Sequence, residues 1–192
     1  MAGVFRELTV NAFEAEVAAF CWTRRIWRVD MHHTYIPDHV LWREIGSQVC
    51  CDGMQRAHVR NRGFEDIAQH VTIAPDGAIW TGRDWNRTPA SVGFGMNGGV
   101  FMLEMIGNFD VGHDVFDGAQ RAATIAVIDI VQRRFALPVH ALLFHREVPQ
   151  TEKTCPGTAI DKGDILRAVQ ARRVSTHRQL FLQHVAEGDR NP

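Results

Sequence analysis

Two hydrophobic periods alternate along this chain, and their order predicts its elements. Phe13, Val17 and Phe20 recur at helical spacing in "AFEAEVAAF". A helix is expected there, with Asn11 as its cap and Glu14 as a capping-box partner. "RIWRVDM", residues 25–31, is rich in Ile, Trp and Val and reads as a buried strand. "TYIPDHVLW" reads as a loop, because Pro37 breaks a helix. Residues 52–62 form a polar-faced helix ended by Gly63. "QHVTIAPDGAIWTGR" is a hairpin around "APDG", whose Pro presets one φ and whose Gly accepts a positive one. Residues 84–99 hold several glycines and a proline, a long loop of the kind that carries function.

"VFMLEMIGNF" is almost wholly apolar, so it is expected in the middle of a sheet covered on both faces. After Asp117 and Gly118, "AQRAATIAVIDIVQRRF" places Ala122, Ile125, Ile128 and Val131 on one helical face. "VHALLFH" is a further strand, residues 146–163 a loop, and "DILRAVQARR" a helix capped by Asp164. The order α-β-α-β-β-β-α-β-α predicts an α/β fold, a single domain with one central mixed sheet flanked by helices on both faces. Residues 1–24 are expected to be a helical N-terminal extension, 25–174 the main domain, and 175–192 a helical tail.

Composition narrows the function. The 192 residues suffice to bury roughly 70% of the unfolded chain's surface without disulfide staples. Cys21, Cys50, Cys51 and Cys155 are an adjacent pair and two isolated thiols, which is not a disulfide framework. A net charge of -1 argues against binding nucleic acid, although Arg172, Arg173 and Arg178 offer either a local basic patch or a solvated helix face. No stretch approaches the ~20 apolar residues of a membrane-spanning helix, and the N-terminus lacks a signal-peptide pattern. The expectation is a monomer made in the cytoplasm without membrane insertion. It would act there unless something else moves it.

Several residues could hold a metal. His32 or His33 follows one apolar strand, His145 follows another, and Cys155 lies ten positions further in a loop able to fold back. Two imidazoles and a thiolate suit zinc with one position left for water. Glu104 is the single charged residue in the strand "VFMLEMIGNF". Burying an unpaired carboxylate is costly, so this residue is paired with an arginine, turned to solvent, or aimed at a reactive site.

"VDMHHTY", "GFEDIAQHVTIAPDGAIWTGRDWN", "GMNGGVFMLEMIGNF" and "FHREVPQTEKTCPG" occur in the order seen in zinc-dependent N-acetylmuramoyl-L-alanine amidases. That family includes phage lysozyme-amidases and peptidoglycan recognition proteins, and the resemblance covers about residues 25–170. It implies a Zn2+ cofactor on His32, His145 and Cys155, with His33 supporting a ligand or lining the groove. It implies peptidoglycan or muropeptides as partner, and hydrolysis of the bond between N-acetylmuramic acid and L-alanine. Many members carry a tyrosine where Gln69 stands here, and Gln cannot titrate. The cytoplasmic muropeptide-recycling amidases, a further branch of the family, lack that tyrosine too and use a glutamate at the place of Glu104, which the resemblance makes the base. Lys153 matches a group near the zinc that can stabilise an oxyanion.

Thr34, Gln69 and Asn97 match positions that often face the substrate. Trp85 and Phe94 are expected either to stack on sugar or to anchor their loop. The alternative function is a peptidoglycan sensor on the same fold that does not hydrolyse.

Overall fold

The computed structural model describes residues 5–93, 95–149 and 151–188, so Phe94 lies outside the described residues. Six strands form one mixed sheet: β1 (Glu7–Leu8), β2 (Arg28–His33), β3 (Val71–Ile73), β4 (Ile79–Thr81), β5 (Val100–Met105) and β6 (Leu142–Phe144). Their order is β1-β4-β3-β5-β2-β6. The almost continuously apolar β5 sits between β3 and β2, parallel to both, as its composition predicts. β3 and β4 form the expected antiparallel hairpin, with Gly77 at φ 87° in its turn. A Cβ at Gly77 would stand 2.9 Å from the Ala119 carbonyl oxygen, so packing as well as φ requires glycine.

Four helices cover the sheet: α1 (Val10–Ala19), α2 (His39–Arg62), α3 (Gly118–Arg134) and α4 (Lys162–Gly188). Side-chain parity separates the two faces. Phe101, Leu103 and Met105 of β5, with Val29 and Met31 of β2, join residues of α1, α3 and α4 in the main apolar cluster. Intervening positions, Asp30, His32, Thr72, Met102 and Glu104, belong to the opposite face. There α2 supplies Cys50, Cys51 and Met54 to smaller clusters. α3 is buried around its circumference from Ala123 to Gln132, wedged between the sheet and α1 and α4.

Several expected boundaries shift. Thr9, not Asn11, caps α1, its hydroxyl accepting from Ala12 N at 3.2 Å, and Glu14 instead pairs with Arg133 at 2.7 Å. β2 starts at Arg28 because its register with β5 begins at the Arg28–Val100 pair, and Arg24 before it donates to the carbonyls of Arg87 and Val100. The segment read as a loop from Thr34 to Trp42 turns helical at His39. Asp38 caps it (Leu41 N to Oδ1, 2.8 Å), and Pro37 precedes the cap, where it interrupts nothing. α2 therefore starts earlier than expected, kinks at Gly46 and ends at Gly63 as predicted.

The N-terminal segment, expected to be helical, opens with strand β1 paired to β4. "VHALLFH" is a strand only over Leu142–Phe144. Asp161, not Asp164, accepts the Asp164 amide at 2.6 Å at the start of α4, and Asp164 binds Arg121. Arg172 and Arg173 form no free basic patch. Both approach the fully buried Asp129 of α3, at 3.6 and 3.2 Å, and tie α4 to the body. Among the described residues no helix is long and apolar enough to cross a membrane.

Candidate metal centre and active site

His32 lies one residue before the C-terminal end of β2, and His145 opens a 3-10 turn directly after the neighbouring strand β6. Parallel pairing of β2 and β6 brings both to one edge of the sheet, with ring centroids 4.8 Å apart. The loop carrying Cys155 is fastened beside them. Arg146 N donates to the Cys155 carbonyl at 2.8 Å, and the Arg146 guanidinium donates to the carbonyls of Gly157 and Ile160. Gly157, at φ 119°, lets this loop touch the backbone of Phe109, where a Cβ would come within 2.4 Å of the carbonyl.

One ligand atom from each of His32, His145 and Cys155 lies within 4.8 Å of the others, so the three could hold a metal ion. His32 Nδ1 is 3.4 Å from Cys155 Sγ. Bonds of about 2.0 Å to nitrogen and about 2.3 Å to sulfur at a tetrahedral centre place such atoms about 3.5 Å apart. The His32–Cys155 pair already has that spacing, and the full set could close on one ion by drawing its ligand atoms together. His33 supports it from the backbone, its N–H donating to Cys155 Sγ at 3.4 Å.

Electrostatics also suit a metal. Burial, then the charge it would share with His145 and Lys153, holds His32 well below the ordinary imidazole value. Burial and Lys153 hold His145 at about 4. Both rings are therefore neutral ligands at pH 7. Burial pushes the Cys155 thiol up to about 12, while the His33 N–H, Lys153 and Arg146 favour its thiolate. A cation at the site would tip that balance to the thiolate.

These residues line a cleft of about 530 Å³ together with His33, Thr34, His58, Arg62, Phe64, Met102, Glu104 and Lys153. Glu104 pairs in register with His32 across β2 and β5, on the same face. Its Oε2 is buried and has no hydrogen-bond partner among the described residues. Burial raises its carboxyl to about 7, and the Lys153 ammonium pulls the other way. The arginine ion pair considered for Glu104 is not what fills this position. Lys153 is exposed on the Cys155 loop and faces the cleft.

The expected substrate-contact residues divide. His33 and Thr34 line the cleft. His33 Nδ1 accepts from Phe109 N at 3.2 Å, and the Thr34 hydroxyl accepts from Gly107 N at 2.9 Å, so both also hold local backbone. Gln69, Trp85 and Asn97 are not among the cleft residues. Gln69 is fully buried beneath α2 and donates to the Thr72 hydroxyl at 2.9 Å. Trp85 stacks on Trp22 at 5.6 Å and packs edge-on to Phe13, anchoring its loop to the core. Asn97 Oδ1 accepts from the amides of Val92 and Gly93, each at 3.0 Å, and closes a turn within the glycine-rich loop. Sequence reasoning also missed two residues. Ser91 Oγ lies 2.8 Å from His32 Nε2 and donates to Asp30 at 2.7 Å. Asp30 carried the same visible signal as Glu104, a carboxylate inside an apolar strand.

Residues 22–158 match the family described as N-acetylmuramoyl-L-alanine amidase. The chain belongs to this amidase family. It is 28% identical over 137 residues to the human protein named N-acetylmuramoyl-L-alanine amidase, covering 71% of this chain and 23% of that protein. To the pig protein of the same name it is 30% identical over 141 residues, covering 68% and 21%. The chain thus spans under a quarter of the length of these relatives. A solved Drosophila PGRP-LB mutant in complex with tracheal cytotoxin superposes with a TM-score of 0.59 at 26% identity, over 72% of this chain and 79% of that one. The endolysin amidase LysCS of Clostridium intestinale shares the fold, with a TM-score of 0.62 at 22% identity over 79% and 91% of the two chains.

Proposed function

We propose that this chain hydrolyses the amide bond between N-acetylmuramic acid and L-alanine of peptidoglycan or its muropeptides, with Zn2+ on His32, His145 and Cys155. The observation that carries this reading is one cleft holding two neutral imidazoles, a thiol and a carboxyl without a partner. When bound, zinc supplies a Lewis acid and a water that loses its proton near neutral pH. Glu104 accepts the proton of the attacking water and returns it to the departing alanine nitrogen. Its raised pKa suits both halves of that task, because a carboxyl near 7 both takes and gives a proton at neutral pH. The Lys153 ammonium stabilises the negative charge that develops on the carbonyl oxygen. The His33 N–H and the Arg146 clamp keep Cys155 in place while substrate fills the cleft.

The alternative, a peptidoglycan sensor without hydrolysis, is tested in the same assay. Purified chain is analysed for zinc and incubated with cell wall and with soluble muropeptides, and released amine is counted. About one zinc per chain and amine release are expected, and Cys155→Ala should lose both. Retained binding to cell wall without amine release from the zinc-loaded chain would establish the sensor instead.

A further inference from the structure

We propose that Ser91 and Asp30 are positioning residues that fix the tautomer of His32, so that Nδ1 is the nitrogen offered to the metal. The inference rests on the metal-site reading above and on an accounting of donors and acceptors. Asp30 is fully buried inside β2. Arg28 donates to Oδ1 from Nε at 2.6 Å and to Oδ2 from a terminal nitrogen at 3.1 Å. Those two guanidinium bonds leave the carboxylate with nothing but acceptor positions. The Ser91 hydroxyl has a single proton, and it goes to Asp30 Oδ2 at 2.7 Å.

Ser91 Oγ must therefore accept at its 2.8 Å contact with His32 Nε2, which has to carry the ring proton. The lone pair is left on Nδ1, the atom 3.4 Å from Cys155 Sγ. A hydrogen bond on the non-ligating nitrogen both orients a ring and raises its basicity as a ligand. The glycine-rich loop gains a purpose from this. Arg28 also donates to the Met96 carbonyl at 3.0 Å, and Asn97 closes the turn between Ser91 and Met96. The loop delivers one hydroxyl to the back of a metal ligand.

The relay predicts different outcomes for two conservative changes. In Ser91→Ala the constraint disappears, and the ring of His32 becomes a mixture of tautomers. In Asp30→Asn, Arg28 keeps the single oxygen and the new amide donates to Ser91. The Ser91 hydroxyl is then driven to donate to His32 Nε2, moving the ring proton to Nδ1.

The experiment is nitrogen–proton correlation NMR of the histidine rings in the full metal-free chain, with zinc affinity by chelator competition. Wild type should show His32 protonated on Nε2. Ser91→Ala should bind zinc about 10–100-fold more weakly, and Ser91→Thr, which keeps the hydroxyl, should restore affinity. An unchanged tautomer in Ser91→Ala, or wild-type zinc affinity in that folded variant, would overturn the relay. Should wild type bind no zinc, the metal reading fails, while the tautomer spectra still decide the relay by themselves.

Discussion

β2 and β5 lie side by side, and each carries a carboxylate on the face covered by α2, fully buried at Asp30 and partly buried at Glu104, yet the two acids are partnered differently. Asp30 receives two bonds from Arg28 and one from Ser91. Glu104 has one oxygen sealed from solvent and unpartnered among the described residues, and its carboxyl stands at about 7. Burial raises both carboxyls, but the Arg28 and Ser91 bonds pull Asp30 back down, whereas only the Lys153 charge opposes the burial of Glu104. A buried carboxylate with its full complement of donors holds structure, whereas one left short of donors has a proton to trade near neutral pH. Under the proposed function, Asp30 builds the site and Glu104 works in it.

The largest expected effect that probes this difference is Glu104→Gln. It removes proton transfer while keeping shape, so turnover should fall by about 10²–10⁴-fold with zinc content unchanged. Near-normal rates would reject the assignment. Asp30→Ala should act on stability, besides freeing the Ser91 hydroxyl. It leaves Arg28 without its partner in a half-buried position, costing about 3–5 kcal/mol in chemical denaturation. A loss below about 1 kcal/mol would place Asp30 among ordinary surface pairs.

The same glutamate gives a smaller and opposite stability effect. Its folded pKa lies above the unfolded value, so the unfolded chain releases this proton first as pH rises. The metal-free protein therefore loses stability from the ordinary carboxylate range up to about 7, and the loss is complete above that. Glu104→Gln removes the penalty. The variant should be about 1–3 kcal/mol more stable than wild type at pH 8 and equal to it at pH 4. Equal stability at both pH values would show that Glu104 is not desolvated.

The smallest effect is electrostatic. The Lys153 ammonium lowers the Glu104 carboxyl, so Lys153→Met should move the rising limb of the pH–rate profile upward. A downward move would contradict the sign of that interaction.

Much of this arrangement was visible along the chain because it depends on local pattern. An apolar run predicted β5 as the central strand, Gly63 ended α2, and "APDG" set the hairpin. The errors came where a residue's partner is remote. Nothing local reveals that Glu14 finds Arg133 or that Arg173 finds Asp129, each on another helix. Gln69 was matched to a cleft position by family pattern, but its side chain turns beneath α2 and satisfies Thr72. Trp85 and Asn97 sit in a loop that looked functional, and each secures that loop instead.

Residue chemistry along the chain by itself determined which groups are available: two imidazoles at strand ends, a thiol in the following loop, and a carboxylate in an apolar strand. Those follow from side-chain type and from the alternation of a strand's two faces. Tertiary structure alone decided that the two imidazoles and the thiol lie within 4.8 Å of one another and that Ser91, 59 positions from His32, stands behind its ring. Parallel pairing sets those distances by strand order and register, and neither is encoded in any short stretch of sequence.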